Sequence, residues 1–414
     1  MSAKRVMILG AGEGQLPFIN ICKQRGYYVI VVSISGAYPG FKLADKSYYV
    51  DTRDKERILQ IATEENIDAI LTDQTDVSVP TVAYVSEKMG LRGIGYDTAL
   101  KFTNKYLMRK AAKEAGISVP KFELVNSLQQ AIDVSKEIGF PLMIKPVDSS
   151  GSRGVVKINS EKELKQKYRI SENYSTDNSV LLEQFIDGRE YLVDGFAMGG
   201  KYINLDLGIK EYFDVPNIFV SKMCMFSSSV RIKDSVGCKV LCANKKLVEG
   251  MKLDFGITHA EYLYNEKEDK VYLVEIAARG GGVFLSSDIT PSATGVNTNN
   301  VLIDYVVEGK TIDVDSLRLS SKVSAWVCFA FPKGNIKYIS GVRETLDING
   351  VSKLMLDNIY LGKSVSELCD DSGKYGPILV SADSEEECYE IINKVKKTLD
   401  IKVVNGNNTY DMIW

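Results

Sequence analysis

The chain has 414 residues, 45% hydrophobic and 25% charged, with a net charge of -3 at neutral pH. That suits a protein of roughly two to four domains with ample core. It contains no apolar run long enough for a membrane helix, and its charge gives no general pull towards nucleic acid or an anionic membrane. Seven cysteines without a CxxC pair, and a start with no signal-peptide pattern, predict reduced thiols in a cytoplasmic protein. The single histidine, His259, excludes a histidine-rich zinc site and any triad that does not use it.

Residues 1–103 alternate short apolar strands with amphipathic helices: Arg5–Leu9, helix Gly14–Arg25, Tyr28–Val32, Lys46–Val50, helix Asp54–Glu65, Ala69–Thr72 and helix Val79–Met89. This pattern predicts a parallel, doubly wound sheet. The turn Gly10-Ala11-Gly12-Glu13-Gly14-Gln15 departs from a dinucleotide fingerprint, which needs a small sixth residue and an acid after the second strand; Gln15 and Ser33-Ile34-Ser35 stand there. A small anion or substrate suits the turn, and a nicotinamide dehydrogenase is the alternative. Asp73 and Asp76 end a strand, where such sheets bind ligands.

Asn104 or Thr103 caps a helix running to Ala115, with Gly116 and Pro120 as stops. Lys105 in its first turn is either a solvated lysine or, because a cation there opposes the helix dipole, one with a specific partner. Lys145 follows the apolar run Leu142-Met143-Ile144, and a lysine at the end of a core strand needs an anion. Next comes Asp148-Ser149-Ser150-Gly151-Ser152-Arg153-Gly154, either a flexible hairpin loop or a set of backbone N–H groups, hydroxyls and a guanidinium that closes on phosphate oxygens. It is not a Walker loop. The strand Val180–Phe185, the linker Ile186-Asp187-Gly188 and the strand Arg189–Phe196 set Glu183 and Glu190 beside a Phe185-Ile186 wall, a composition suited to an adenine ring and a ribose diol.

The stretch Thr258–Leu285 reads as strands His259–Asn265 and Val271–Ala278, ending at Arg279 and the glycines 280–282. With a five-residue loop Glu266–Lys270, Tyr264 faces Tyr272 and Glu261 falls opposite Glu275. Two facing carboxylates repel unless a divalent cation lies between them, and oxygen-only ligation suits magnesium. A solvated edge hairpin is the alternative, and a one-residue slip would put the pair on opposite faces.

In this order the parts resemble the ATP-grasp superfamily: a lysine before a helix, a lysine on a strand before a Gly/Ser loop, the linker E-Q-F-I-x-G-R-E, then H-A-E and E-I-A-A-R. The pattern is similar to glycinamide ribonucleotide synthetase-like and carbamoyl-phosphate synthase-like ligases. From Ala325 onwards, with Phe331-Pro332-Lys333-Gly334-Asn335-Ile336, it is similar to biotin carboxylase. The resemblance implies an α/β protein, α+β in its ATP-grasp part: an N-terminal doubly wound parallel sheet (1–103), a central ATP-grasp domain (104–312) with a mobile lid subdomain (about 120–185), and a C-terminal mixed α/β domain (313–414). Lys105 and Lys145 would hold ATP phosphates under the loop Ser149, Ser150, Gly151, Ser152 and Gly154. Glu183, Phe185 and Ile186 would face adenine, with Glu190 on the ribose. Glu261 and Glu275 would ligate Mg2+, or Mn2+ in its place. Arg279, with Lys145 and Glu275, would serve the transferred phosphoryl group.

The family's asparagine two residues after the second glutamate is Ala277 here, which puts a second magnesium in doubt. His259, Gly281, Ser286 and Asp288 are candidate substrate residues, with a core histidine and an ordinary polar loop as alternatives. The implied activity joins a small-molecule carboxylate to an amine through an acyl phosphate. Its rivals are a bicarbonate-activating, carboxyphosphate-forming enzyme and a nucleotide-sensing protein without turnover. A homodimer is the default assembly, with neither nucleic acid nor membrane as partner. The C-terminal part reads as strands Ser324–Phe331, Gly334–Ser340, Lys353–Leu356 and Pro377–Ala382 and an amphipathic helix Ser384–Leu399.

Overall fold

A computed structural model describes residues 3–149, 151, 153–215, 220–282, 284–369 and 373–414. The chain begins β1 (Arg5–Leu9), α1 (Leu16–Gln24), β2 (Tyr28–Ser33), β3 (Lys46–Tyr49), α2 (Lys55–Glu64), β4 (Ala69–Leu71), α3 (Val79–Met89), α4 (Tyr96–Thr103) and α5 (Lys105–Glu114). It continues through β5 (Phe122–Val125), α6 (Leu128–Ile138), β6 (Leu142–Pro146), β7 (Val156–Ile158), α7 (Glu161–Glu172) and β8 (Val180–Gln184). Longer strands follow: β9 (Arg189–Met198), β10 (Lys201–Tyr212), β11 (Ser221–Ser228), then α8 (Ser235–Gly250), β12 (Phe255–Asn265) and β13 (Lys270–Ala277). The remainder is α9 (Thr290–Thr294), α10 (Thr298–Ile303), β14 (Val323–Ala330), β15 (Gly334–Ser340), α11 (Val342–Leu346), β16 (Val351–Leu354), β17 (Ser364–Val365), β18 (Lys374–Ala382), α12 (Glu385–Thr398), β19 (Asp400–Asn405) and β20 (Asn408–Tyr410).

These elements form two compact units, one of Met1–Asn204, Asp234–Gly282 and Asn297–Leu317, the other of Leu205–Lys233, Val283–Val296 and Arg318–Trp414. The first unit holds the parallel sheet β3-β2-β1-β4 predicted from the alternating pattern. Continuous apolar strands make it, because both faces are covered: Met7, Leu9, Ile30, Val32 and Ile70 pack with Ile58 and Ile61 of α2 and Val85 of α3, and Val6, Ile8, Val29 and Val31 on the opposite face are equally buried. A second sheet, β5-β8-β6-β7, is antiparallel and packs Leu142, Ile144 and Leu182 against Ala131 of α6 and Leu164 and Tyr168 of α7. In a third, β12 lies between β9 and β13, antiparallel to both.

The second unit contains β11 between β10 and β14, then β18 and β16, all antiparallel, and the sheet β17-β15-β19-β20. Val323, Phe329, Val380, Ile336 and Ile401 share one core with Cys388, Ile391 and Val395 of α12. Over 197–257 the sequence reading assigned no elements, and β10, β11, α8 and the first three residues of β12 fall there.

Candidate active site

The hairpin β12–β13 places Glu261 directly opposite Glu275, as its alternation requires. The expected Tyr264–Tyr272 pair does not form: Tyr264 faces Val271 and Leu263 faces Tyr272. The cause is a β-bulge between Glu261 and Tyr262, which leaves Val274 as the extra residue and shortens the turn so that Asn265 pairs with Lys270. Without that bulge, the four-residue turn would put one glutamate on each face.

Val274 is tied down by Arg109, whose Nη2 donates to its carbonyl at 2.7 Å. Arg109 lies on α5, a helix capped by Asn104, whose side chain accepts from the Leu107 N–H at 3.0 Å. Its inward face is Lys105, Met108, Arg109 and Ala112, the 3.6-residue stripe of an amphipathic helix. Lys105 is thereby only 4% exposed, so the solvated alternative fails. Its Nζ donates to the Ser149 carbonyl at 2.8 Å and pairs with Glu275 at 2.6 Å. Arg109 is fully buried, and its Nε donates to Glu183 Oε1 at 2.5 Å while Lys145 Nζ meets Glu183 Oε2 at 2.5 Å. Burial would raise the Glu183 pKa, but Arg109 and then Lys145 outweigh it and hold the carboxyl down at about 2.

These groups line one cavity of about 200 Å³, with Met143, Val155, Leu263, Tyr272 and Leu273 as apolar walls. Lys105, Lys145, Ser149, Glu183, Phe185, Ile186, Glu261 and Glu275 all contribute to it, so the predicted residues of two strand pairs, a loop and a helix meet. Glu183 differs from expectation in one respect: both of its oxygens are engaged by cations rather than presented to a ligand. The Lys157 ammonium lies 3.7 Å from the Phe185 ring centroid. Glu190, paired with Leu263 across β9 and β12, is outside the cavity lining. Gly151 and Gly154 have φ of +66° and +75°, conformations that suit glycine. Ser150 and Ser152 lie outside the described residues.

Arg109 is the cavity-lining residue that sequence reasoning missed. Its signal was a charge four residues after Lys105, on the same face as Met108 and Ala112.

Among the described residues no three His, Cys, Asp or Glu side chains are grouped to hold a metal. Glu261 and Glu275, with side chains 28% and 34% exposed, offer oxygen ligands alone. That donor set fits a magnesium ion that completes its shell with phosphate and water. Ala277 is buried and faces His259 across the hairpin. His259 also faces Asp194 on β9, its Nδ1 donating to Asp194 Oδ1 at 3.0 Å, and its Nε2 is 3.8 Å from Glu261 Oε1. Burial opposes its charge, but Asp194 and then Glu261 push its pKa up to about 9.

Arg279 grips Asp76 in a two-point bond, 2.9 and 2.7 Å, and the Gly280 N–H donates to buried Asp73 at 2.8 Å. Asp76 first supports the guanidinium's charge against burial, with Glu275 and Asp73 assisting. The aspartates expected at a ligand-binding strand end thus anchor the segment after β13. Gln15 fills the first turn, accepting from Gly12 N–H at 3.0 Å and donating to the Asp73 carbonyl at 2.6 Å. Gly281 belongs to the first unit. Ser286 and Asp288 belong to the second, where Asp288 pairs with Lys353 at 2.9 Å.

Residues 138–288 match the family model of the ATP-grasp domain. The chain is 24% identical over 291 residues to the carbamoyl phosphate synthase large chain of Pseudothermotoga lettingae, covering 67% of this chain and 26% of that protein. To the alanine–anticapsin ligase of Bacillus subtilis it is 28% identical over 280 residues, 63% of this chain and 58% of the relative. Both matches thus span less than two thirds of the relative's length. A crystal structure of an L-amino acid ligase from Bacillus licheniformis shares the fold with a TM-score of 0.78 at 21% identity, covering 98% of this chain and all of that one. The segment 138–288 is thus an ATP-grasp domain, and Lys145, Ser149, Glu183, Glu261 and Glu275 of the cavity lie within it.

Proposed function

We propose that the chain is an ATP- and magnesium-dependent ligase that joins a small carboxylic acid to an amine through an acyl phosphate. The observation that carries this reading is the meeting of Lys105, Lys145, Glu261 and Glu275 in one apolar-walled cavity. Two of the relatives are themselves named as ligases of amino acids.

The nucleotide base lies against Phe185 and Ile186. Lys105 and Lys145 face the phosphates, with Ser149, Gly151 and Gly154 beside them. Glu261 and Glu275 hold magnesium, which when bound draws charge from the phosphate oxygens. The substrate carboxylate attacks the γ-phosphorus and ADP leaves. The amine then attacks the acyl carbon, phosphate departs, and the amine proton passes to solvent or base. Nothing in this sequence asks for a protein nucleophile; the residues contribute position and fixed charge. Arg279 is assigned to the transferred group, held by Asp76. His259, Gly281, Ser286 and Asp288 are assigned to the acceptor side.

The division at 103/104 and 312/313, with a lid at about 120–185, is part of the same reading. The parallel sheet ends before the first boundary, and the run of strands from β14 begins after the second. A cytoplasmic setting and a homodimer complete it. No helix among the described residues is long and apolar enough to cross a membrane.

The test is ADP and phosphate release from Mg-ATP against pools of carboxylic acids and amines, with bicarbonate in a separate arm. Release that requires both a carboxylate and an amine is expected. Release with bicarbonate alone would replace the reading with carboxyphosphate formation, and nucleotide binding without release in any arm would overturn the ligase.

A further inference from the structure

A second cavity, of about 470 Å³, lies in the same unit as the nucleotide pocket. The two share Ser149, whose carbonyl holds Lys105. The second is also walled by Asn104, the residue before Lys105, and by Asp76, which grips Arg279. On the ligase reading, on which this inference rests, a molecule in this cavity stands beside the phosphates. Its volume is that of a small-molecule site.

Three cations line it, Arg53 and Lys55 at the start of α2 and Arg153 from the loop after β6, beside Tyr96 and Tyr174. The acids in the wall are engaged: Asp76 by Arg279, and Asp148 by the Thr176 N–H at 3.2 Å. Arg53 is matched by Asp51 at 2.7 Å. Lys55 is held differently. Its ammonium lies 4.6 Å from the ring centroids of both Tyr84 and Tyr96 and donates to the Tyr96 hydroxyl at 3.2 Å, and no carboxylate among the described residues pairs with it. Two aromatic faces fix the cation in place without a carboxylate in direct contact.

Its position repeats that of Lys105. Each is the first residue of its helix, directly after a capping Asp54 or Asn104, where a cation works against the helix dipole. For Lys105 the counter-charge is Glu275. For Lys55 no carboxylate among the described residues comes within ion-pair distance, and the nearest acid acting on it, the neighbouring Glu56, accepts from the Tyr84 hydroxyl at 2.8 Å.

We propose that this cavity receives the carboxylate substrate, and that the substrate is a small dianion. The carboxylate to be phosphorylated lies towards Ser149 and Asn104, and the second anionic group rests on Lys55. The cavity thereby selects dianions over monoanions of the same length.

The experiment is calorimetric titration of the full chain with Mg2+ and a non-hydrolysable ATP analogue, using succinate and glutarate against butyrate and valerate. At least one dianion is expected to bind about tenfold more tightly than its monoanionic counterpart. Lys55→Gln is expected to erase that ratio with analogue affinity unchanged, and Lys55→Arg to keep most of it. Equal binding of both classes, a ratio that survives Lys55→Gln, or no dianion binding while the analogue binds would overturn the proposal. Failure of the analogue itself would count against the ligase reading instead, and the same titrations without nucleotide would still decide whether the cavity prefers dianions.

Discussion

The cavity beside the β12–β13 hairpin contains carboxylates of two kinds, and the contrast separates scaffold from proposed chemistry. Glu183 is 1% exposed, with a cation on each oxygen. Glu261 and Glu275 are about a third exposed, face each other, and share their surroundings with a histidine and a lysine. A sealed carboxylate between two cations cannot change partners without leaving a charge buried and unpaired, whereas a partly hydrated one can. Glu183 is therefore a fixed charge that holds Lys145 and Arg109 in place, and the hairpin pair is the set that can trade a lysine for a metal.

Glu183→Gln should break this contrast with the largest effect. The glutamine must turn its NH2 towards one of the two cations, so one hydrogen bond becomes a repulsion. A loss of roughly 3–5 kcal/mol of unfolding free energy is expected, read by denaturant titration. A loss below about 1 kcal/mol would mean that water reaches the triad and that Glu183 is no different from the hairpin pair.

Acid supplies the same test without a mutation. Folding lowers the Glu183 pKa from 4.5 to about 2. Its contribution is fully present above the unfolded value and disappears as pH falls through the folded one. Unfolding free energy should fall by on the order of 3 kcal/mol between those limits on account of this group. Glu183→Gln should lack that part of the slope, so the wild-type and variant curves converge as pH falls.

Glu275→Gln should sharpen the contrast from the other side. Here the amide oxygen can still accept from Lys105, the Ser149 carbonyl remains in place, and the NH2 can point to solvent. Stability should drop by about 1 kcal/mol, while turnover falls by about 100-fold or more because a metal ligand has lost its charge. Unchanged turnover would remove Glu275 from the metal site.

How far the sequence discloses this arrangement follows from the range of each interaction. The Glu261–Glu275 pairing was legible because alternation within one hairpin is a local rule. The bulge was not: a local alternation rule does not announce it, and the group that bonds its extra residue, Arg109, is 165 residues away in the chain. Lys105 and Lys145 stood out as lysines where helix dipole or apolar strand made them costly. The partner of each is remote in sequence, so Glu183 could be read as an adenine ligand but not as the counter-ion of Lys145. Similarly, Asp73 and Asp76 announced a strand end that binds something, and only the folded chain shows that it includes the backbone of Gly280 and the guanidinium of Arg279.

The smallest effect tests whether Arg109 acts by charge or by shape. Its guanidinium bonds Glu183 through Nε and the bulged Val274 carbonyl through Nη2, a fork that joins the buried carboxylate to the strand bearing Glu275. A lysine preserves the charge but presents one nitrogen, which Glu183 would claim. Arg109→Lys should therefore keep the counter-ion of Glu183 and release Val274. The expected cost is about 1–2 kcal/mol of stability, with the KM for ATP raised less than about tenfold and kcat lowered by a similar modest factor as Glu275 loosens. Arg109→Met removes the charge as well and should approach the stability loss of Glu183→Gln. If lysine and methionine were equally damaging, the geometry of the fork rather than the buried charge would be what fixes Glu275. If lysine were silent in both stability and kinetics, the bulge would be set by the hairpin alone.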